Sequence, residues 1–353
     1  MKKNNLFLFT IVAMFCVSSH SAWAQYVKVT AEDGTVSWAE IAGDINGTDI
    51  EIHTNGARST IIESIKGAID LNEVWSESGG NGTHYQVTSI ADYSFYNCSG
   101  LTNVSIPEGV TSIGLLAFAN CSGLTSVSIP TSVTSIKRSP FYSCSGLTSI
   151  VVASGNPAYD SRNNCNAIIE TATNTLILGC MNTTIPTSVN TIGEHAYFGC
   201  TGLTNLFIPL SVTSIGENAF TNCTGLTSIN IPESVTNIGV YAFASCTGLT
   251  KVRISEGVTN IADYAFSYCS RLTSINIPTS ITRIERIAFA YCSRLTSITS
   301  YITDVFATGR SAFGGCYDAT LYVPKGTVRS YLLRGDWNSI SSIKEIPIDL
   351  VMR

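Results

Sequence analysis

Nine cysteines, Cys98, Cys121, Cys144, Cys200, Cys223, Cys246, Cys269, Cys292 and Cys316, recur at 23-residue intervals within each run, with 24 at the last step. Thiols on such a ruler could pair as disulfides, hold a soft metal or act as nucleophiles. Metal binding is disfavoured, because none of the nine forms a C-x-x-C pair and no histidine accompanies them. Pairing between adjacent repeats is geometrically open, yet an odd number in matching surroundings argues for packing. The expected role is a column of small apolar core residues. Cys165 and Cys180 stand apart, flanking Ala167–Ile169 and Leu176–Leu178 across a polar turn. That pattern reads as a β-hairpin with the two cysteines opposite each other. A cross-strand disulfide and two buried thiols both fit it.

No other chemistry is spelled out. The histidines, His20, His53, His84 and His195, are far apart, and there is no H-E-x-x-H, G-x-S-x-G or Walker-type loop. No catalytic residue, metal or cofactor is therefore expected, and the chain is not expected to be an enzyme. Charged residues are only 13% and the net charge is −5, which excludes an electrostatic nucleic-acid binder.

The elements around the cysteines explain the ruler. In the unit Leu124–Cys144, Val127 and Ile129 alternate with Ser126 and Ser128, the period of a half-buried strand. Pro130 ends the strand, since it has no N–H to give a ladder. Val133, Ile136, Phe141 and Cys144 follow as further inward residues, and the last piece is expected to form a turn or short helix opposite the strand. One such coil buries almost nothing alone, so coils must stack. Nine or ten of them, about 4.8 Å apart, form a rod. Phe95, Phe118, Phe141, Phe220, Phe243, Phe266, Phe289 and Phe313, with Tyr197, are expected to make one continuous aromatic column. Glycines two residues after most of the cysteines, such as Gly123 and Gly225, are expected to serve a tight turn.

The repeated sentence Leu-Thr-Ser-Val-x-Ile-Pro-x-x-Val-Thr-Ser-Ile-Gly-x-x-Ala-Phe-x-x-Cys, from about Val87 to Cys316, resembles the BspA-like leucine-rich repeats of bacterial surface proteins. The segments Asn156–Arg162, Cys165–Ile169 and Leu321–Gly326 are also similar to that family. The resemblance implies an exported protein used in adhesion or recognition. The expected fold is an α/β repeat solenoid, predominantly β: a right-handed stack of 23-residue leucine-rich-repeat coils with one parallel sheet, capped at both ends.

Residues 1–24 read as a signal peptide, with Lys2 and Lys3 before the apolar Leu6–Val17 and cleavage after Ala24. That apolar run is too short to span a bilayer, and no later one is longer. A lipidated Cys16 is the less favoured alternative, because Phe15 is not the small residue expected before it. Residues 25–86 are expected to form an N-terminal β-rich cap, with Trp38, Ile41, Ile50, Ile52 and Trp75 as its apolar residues. The solenoid is assigned to 87–316, with a hairpin insertion at about 153–182 projecting from one face. Residues 317–353 form a C-terminal cap, with Tyr331, Leu332, Leu333 and Trp337 in a short helix. The protein is thus expected to be secreted or exposed at the cell surface.

A partner must then use the outward positions of the strands. Most carry Ser, Thr or Asn, but Phe207, Lys251 and Arg253 break the pattern, beside Asn205 and Asn230. Aromatic and arginine side chains are favoured interface anchors. This strip, expected on one sheet face, is the candidate binding site for a protein or glycan of a host or neighbouring cell. Arg271, Arg283, Arg286 and Arg294 form a second basic group, read as solvated surface. The alternative to a binding module is a structural spacer with no specific ligand.

Overall fold

The computed structural model describes residues 84–347 continuously, together with strands at Gln25–Thr30, Val36–Ile41, Gly43–Asn46, Asp49–Ile52 and Gly67–Trp75. The signal peptide expected at 1–24 lies outside the described residues. The remainder is a β-solenoid of about 11 turns, with parallel strands and almost no helix. Most 23-residue coils contribute one short strand, exemplified by the four-residue Ser126–Ile129, whose Val127 and Ile129 are buried while Ser128 is exposed. Successive strands pair in parallel one period apart, Ser126 with Ser149 and Ile129 with Val152.

Opposite this ladder the structure adds a second one, so the expectation of one parallel sheet is incomplete. Two-residue strands, such as Ser214–Ile215, Asn237–Ile238 and Asn260–Ile261, stack in parallel along the other side. The segment after them is a tight turn, not a short helix. Asn218 and Asn222, at φ 53° and 61°, bracket Ala219–Phe220 in the left-handed region, which a right-handed helix cannot pass through. The turn amides accordingly bond forwards to the next coil, Phe220 N–H to the Ala242 carbonyl at 2.7 Å.

Inward residues fill the space between the ladders. Phe118, Phe220, Phe243 and Phe266 have no exposed surface, and neighbouring rings lie nearly parallel with centroids 4.9–5.4 Å apart. The cysteines pack beside them and do more than fill volume. Cys246 Sγ donates to the Phe220 carbonyl at 3.1 Å, and Cys121 Sγ does the same to Phe95. Seven of the repeat thiols, those of Cys121, Cys144, Cys223, Cys246, Cys269, Cys292 and Cys316, bond a carbonyl of the preceding coil in this way, a contact alanine could not make. The repeat glycines are required by close approach and not by φ. A Cβ on Gly225 would lie 2.2 Å from the Thr201 carbonyl oxygen of the preceding coil.

Burial pushes the thiols of Cys144, Cys200 and Cys316 up to about 12. With so little thiolate near neutrality, and with the cysteines buried, the native chain should react with a thiol reagent only as fast as it unfolds. Labelling followed with and without denaturant checks this. Rapid native labelling of the repeat cysteines would contradict the buried column.

The hairpin does not project from the stack. Its strands Ala167–Glu170 and Thr175–Gly179 pair antiparallel, and the second joins the short-strand ladder, Leu176 beside Ile192. Ala167, Ile168, Ile169 and Leu176 are fully buried, so the hairpin is an additional turn inside the solenoid. Ala167 pairs with Gly179, and the register brings Asn166, not Cys165, to Cys180. Cys165 and Cys180 are free thiols packed into different apolar clusters, so the cross-strand disulfide is not formed.

The hairpin also interrupts the aromatic column. One stack runs Phe95–Phe118–Phe141 and the other starts at Tyr197, and the core correspondingly divides into two clusters. At the C-terminal end, the helix Val328–Leu332 holds Tyr331 and Leu332 as expected, but Leu333 only caps it and Trp337 lies in a separate 3-10 turn, Gly335–Ser339. Tyr331 and Trp337 are fully buried. Leu333, 72% exposed, is not part of that core. The strand Ser342–Glu345 then extends the long ladder in parallel with Thr320–Val323.

Candidate binding face

Lys251 and Arg253 are the outward residues of the strand Lys251–Ile254, whose Val252 and Ile254 are buried. The two cations therefore share one face of the long-strand sheet. Arg253 lies beside Asn230 and Asn276 in register, and Lys251 beside Ser228 and Ser274. Neither cation has an ion-pair partner among the described residues. They border a groove of about 460 Å³ that also includes Asn276, Glu256 and Tyr301.

Two acids line this groove, Glu233 and Glu256, and the second is already committed. Glu256 accepts the Thr279 N–H at 3.1 Å, the Thr279 hydroxyl at 2.9 Å and the Ser280 N–H at 2.9 Å. Burial alone would raise its pKa, but these hydrogen bonds outweigh it and hold the carboxyl below its ordinary value. The Glu256 carboxylate ties one coil to the next and forms no ion pair with Lys251 or Arg253.

Phe207 and Asn205 are exposed, Phe207 at 75%, but they do not lie on that sheet as expected. Their segment has no strand pairing, and the sheet begins one coil later at Ser228–Ile231. The hairpin coil before it offers no long strand for this segment to join, and Thr227 links it forwards, through its N–H to the Thr204 carbonyl at 3.1 Å and its hydroxyl to the same carbonyl at 3.3 Å. Asn230 is thus a sheet residue, whereas Asn205 and Phe207 sit on the irregular coil beside it.

The four arginines divide between separate places. Arg283 pairs with Glu285, and Arg286 pairs with Asp263 at 3.4 Å and lies 5.2 Å from the Tyr264 ring centre. Arg271 and Arg294 occupy the exposed turns after their cysteines.

A polar cluster that the sequence reading missed lies where the two halves of the core meet. Ser139 Oγ is 2.9 Å from His195 Nδ1, and Glu194 Oε1 is 3.6 Å from the same nitrogen while pairing with Arg138. Burial and the nearby Arg138 charge lower the His195 pKa to about 4. The imidazole is therefore neutral at physiological pH. Hydroxyl and carboxylate address one ring nitrogen, whereas a catalytic relay needs them on opposite nitrogens. The available signal was Lys137–Phe141, where Pro140 stands in place of the repeat alanine.

Two solved structures similar to this chain are a leucine-rich repeat protein from Eubacterium ventriosum ATCC 27560 and the pneumococcal vaccine antigen PcpA. The first is 22% identical, with 91% of this chain and 92% of that chain covered and a TM-score of 0.56. The second is 13% identical, with 91% and 99% covered and a TM-score of 0.50. Likeness at these identities shows the fold alone. None of the curated proteins compared with the chain matches it. Among the described residues, no helix is long and apolar enough to cross a membrane. A family model described as the BspA type leucine-rich repeat region matches residues 83–175 and 178–296 in six copies. This is more than half of the sequence, and the chain belongs to the BspA-type leucine-rich repeat family.

Proposed function

We propose that this is an exported, non-catalytic recognition module that works in adhesion. Its binding face comprises Lys251, Arg253 and Asn230, with Phe207 and Asn205 on the adjoining coil. The partner is a protein or glycan on a host or neighbouring cell surface. The observation that carries this reading is the pair of exposed cations, neither with an ion-pair partner among the described residues, bordering a groove on an otherwise Ser- and Asn-rich sheet. A spacer has no use for two adjacent like charges, which repel each other unless a partner supplies the counter-charge.

The test is binding of the chain to a panel of host matrix proteins and glycans, repeated with Phe207→Ala, Lys251→Ala and Arg253→Ala. Anchor residues at an interface typically lose at least tenfold in affinity on truncation. The variants should fold normally, since all three side chains project into solvent. Unchanged affinity in all three, with unchanged circular dichroism, would remove this face from the reading. Failure to bind any member of the panel would favour the spacer. Export is tested by N-terminal sequencing of the protein recovered outside the cell, which should begin at Gln25. A hydrolase screen should be blank.

A further inference from the structure

Adjacent cysteine coils are closed on their turn side by three backbone hydrogen bonds. In one such junction, Asn218, Phe220 and Asn222 donate to Val240, Ala242 and Ala244 at 2.9, 2.7 and 2.9 Å. The other junctions repeat this pattern, except between the coils of Cys144 and Cys200. There, among the described residues, the N–H groups of all three equivalent donors, Ser139, Phe141 and Ser143, have no backbone acceptor. The hairpin has taken one available carbonyl, since Gly179 N–H donates to Ala196 at 2.8 Å.

Side chains hold the junction instead: the Ser139–His195 contact, the Arg138–Glu194 ion pair and the stacking of Tyr142 on Phe198 at 3.8 Å. They leave a cleft of about 200 Å³, lined in part by Glu170, Glu194 and Phe141. It adjoins an outer depression of about 380 Å³ that includes Tyr96 and Leu116. Arg138, Ser139, Tyr142 and His195 line both.

Backbone N–H groups shielded from water are rarely left without a partner. Phe141 is buried and Ser139 half-buried, so these two amides on the cleft wall mark a place where something polar is accommodated. The cleft is lined by these two residues, by the cations Lys137 and Arg138, the latter paired with Glu194, and by the carboxylates of Glu170 and Glu194, with aromatic rings beside them. A simple anion would meet Glu170 and Glu194, and an amine would leave both amides unmet. A polypeptide strand would need a continuous edge, which Pro140 interrupts by lacking an N–H. Ring hydroxyls satisfy both walls, because each donates and accepts, while the ring C–H faces pack on tyrosine. The cleft is smaller than the roughly 300–1,000 Å³ of drug-sized sites, which limits it to one ring. We propose that the junction cleft is a second binding site, taking a single neutral hexose unit of a glycan. This site does not depend on the sheet face that carries Lys251 and Arg253.

The experiment is an amide NMR titration of the full chain with glucose, galactose, mannose and N-acetylglucosamine. At least one sugar should move the Ser139 and Phe141 resonances saturably. Glu170→Gln and Arg138→Ala should each weaken that sugar by about tenfold. Arg253→Ala should leave the titration unchanged, so failure of the sheet face and failure of the cleft are separable. Thermal unfolding of each variant establishes that it is folded, and a variant that does not fold is replaced by Thr175→Val at the same cleft. Absence of any shift at Ser139 and Phe141 overturns the proposal and assigns the two amides to water. Retention of full affinity in both cleft variants overturns it too.

Discussion

Replacing Phe220 by alanine lowers the unfolding free energy by about 3–5 kcal/mol, whereas replacing Phe207 by alanine changes it by no more than about 0.5 kcal/mol. The two phenylalanines are close in sequence and opposite in environment. Phe220 has no exposed surface and stacks between Tyr197 at 5.0 Å and Phe243 at 4.9 Å. Truncating it leaves a void whose two walls are themselves fixed rings, and such a site relaxes little. The damage reaches both neighbouring coils, because each coil of a solenoid is stabilised mainly by the interfaces it makes. Phe207 at 75% exposure has almost no contacts to lose. Denaturant unfolding of the two variants, followed by one probe, measures the difference. Equal midpoints would mean that the coil register separating inside from outside is wrong.

Gly179→Ala costs about 1–3 kcal/mol and disturbs the junction selectively. A Cβ there would lie 2.2 Å from Cε1 of Tyr197. The ring cannot yield, being 1% exposed and stacked on Phe220. The hairpin strand must move instead, which strains its bond from Gly179 N–H to Ala196. In a Tyr197→Leu background the same substitution should cost much less, because the colliding ring is gone. A double-mutant cycle by denaturant unfolding reads the coupling. Strictly additive costs would show that glycine is not there to admit the ring. Limited proteolysis provides a second readout, with cleavage expected to rise in the 171–174 turn before it rises elsewhere.

Much of this architecture was legible from residue pattern. Val127 and Ile129 alternate with serines, and Pro130 follows them, so a short half-buried strand ended by a break is written locally. The 23-residue period then determines which coil lies beside which, since identical units stack with identical registers. That same period identified Lys251 and Arg253 as outward residues, and both are exposed. The second ladder was less legible, because a two-residue strand such as Ser214–Ile215 carries no alternation long enough to detect. The forward-bonding turn was hidden for a similar reason. Asn218 and Asn222 tolerate the left-handed region, but Tyr241 and Ile287 occupy equivalent positions without announcing it.

The sequence by itself determined the repeat, the inward and outward faces of each coil, and the thiol and aromatic columns. These follow from a nearest-neighbour pattern that every unit restates. The tertiary structure alone decided what happens where the pattern lapses. It placed Leu176 beside Ile192, which drew the hairpin into the stack, and it set Asn166 instead of Cys165 against Cys180. It left Phe207 off the sheet and, among the described residues, the amides of Ser139 and Phe141 without backbone acceptors. The physical reason is that a non-periodic segment has no template neighbour. Its pairing is settled by competition among distant strands for one set of backbone donors and acceptors, and local residue pattern carries no record of that competition.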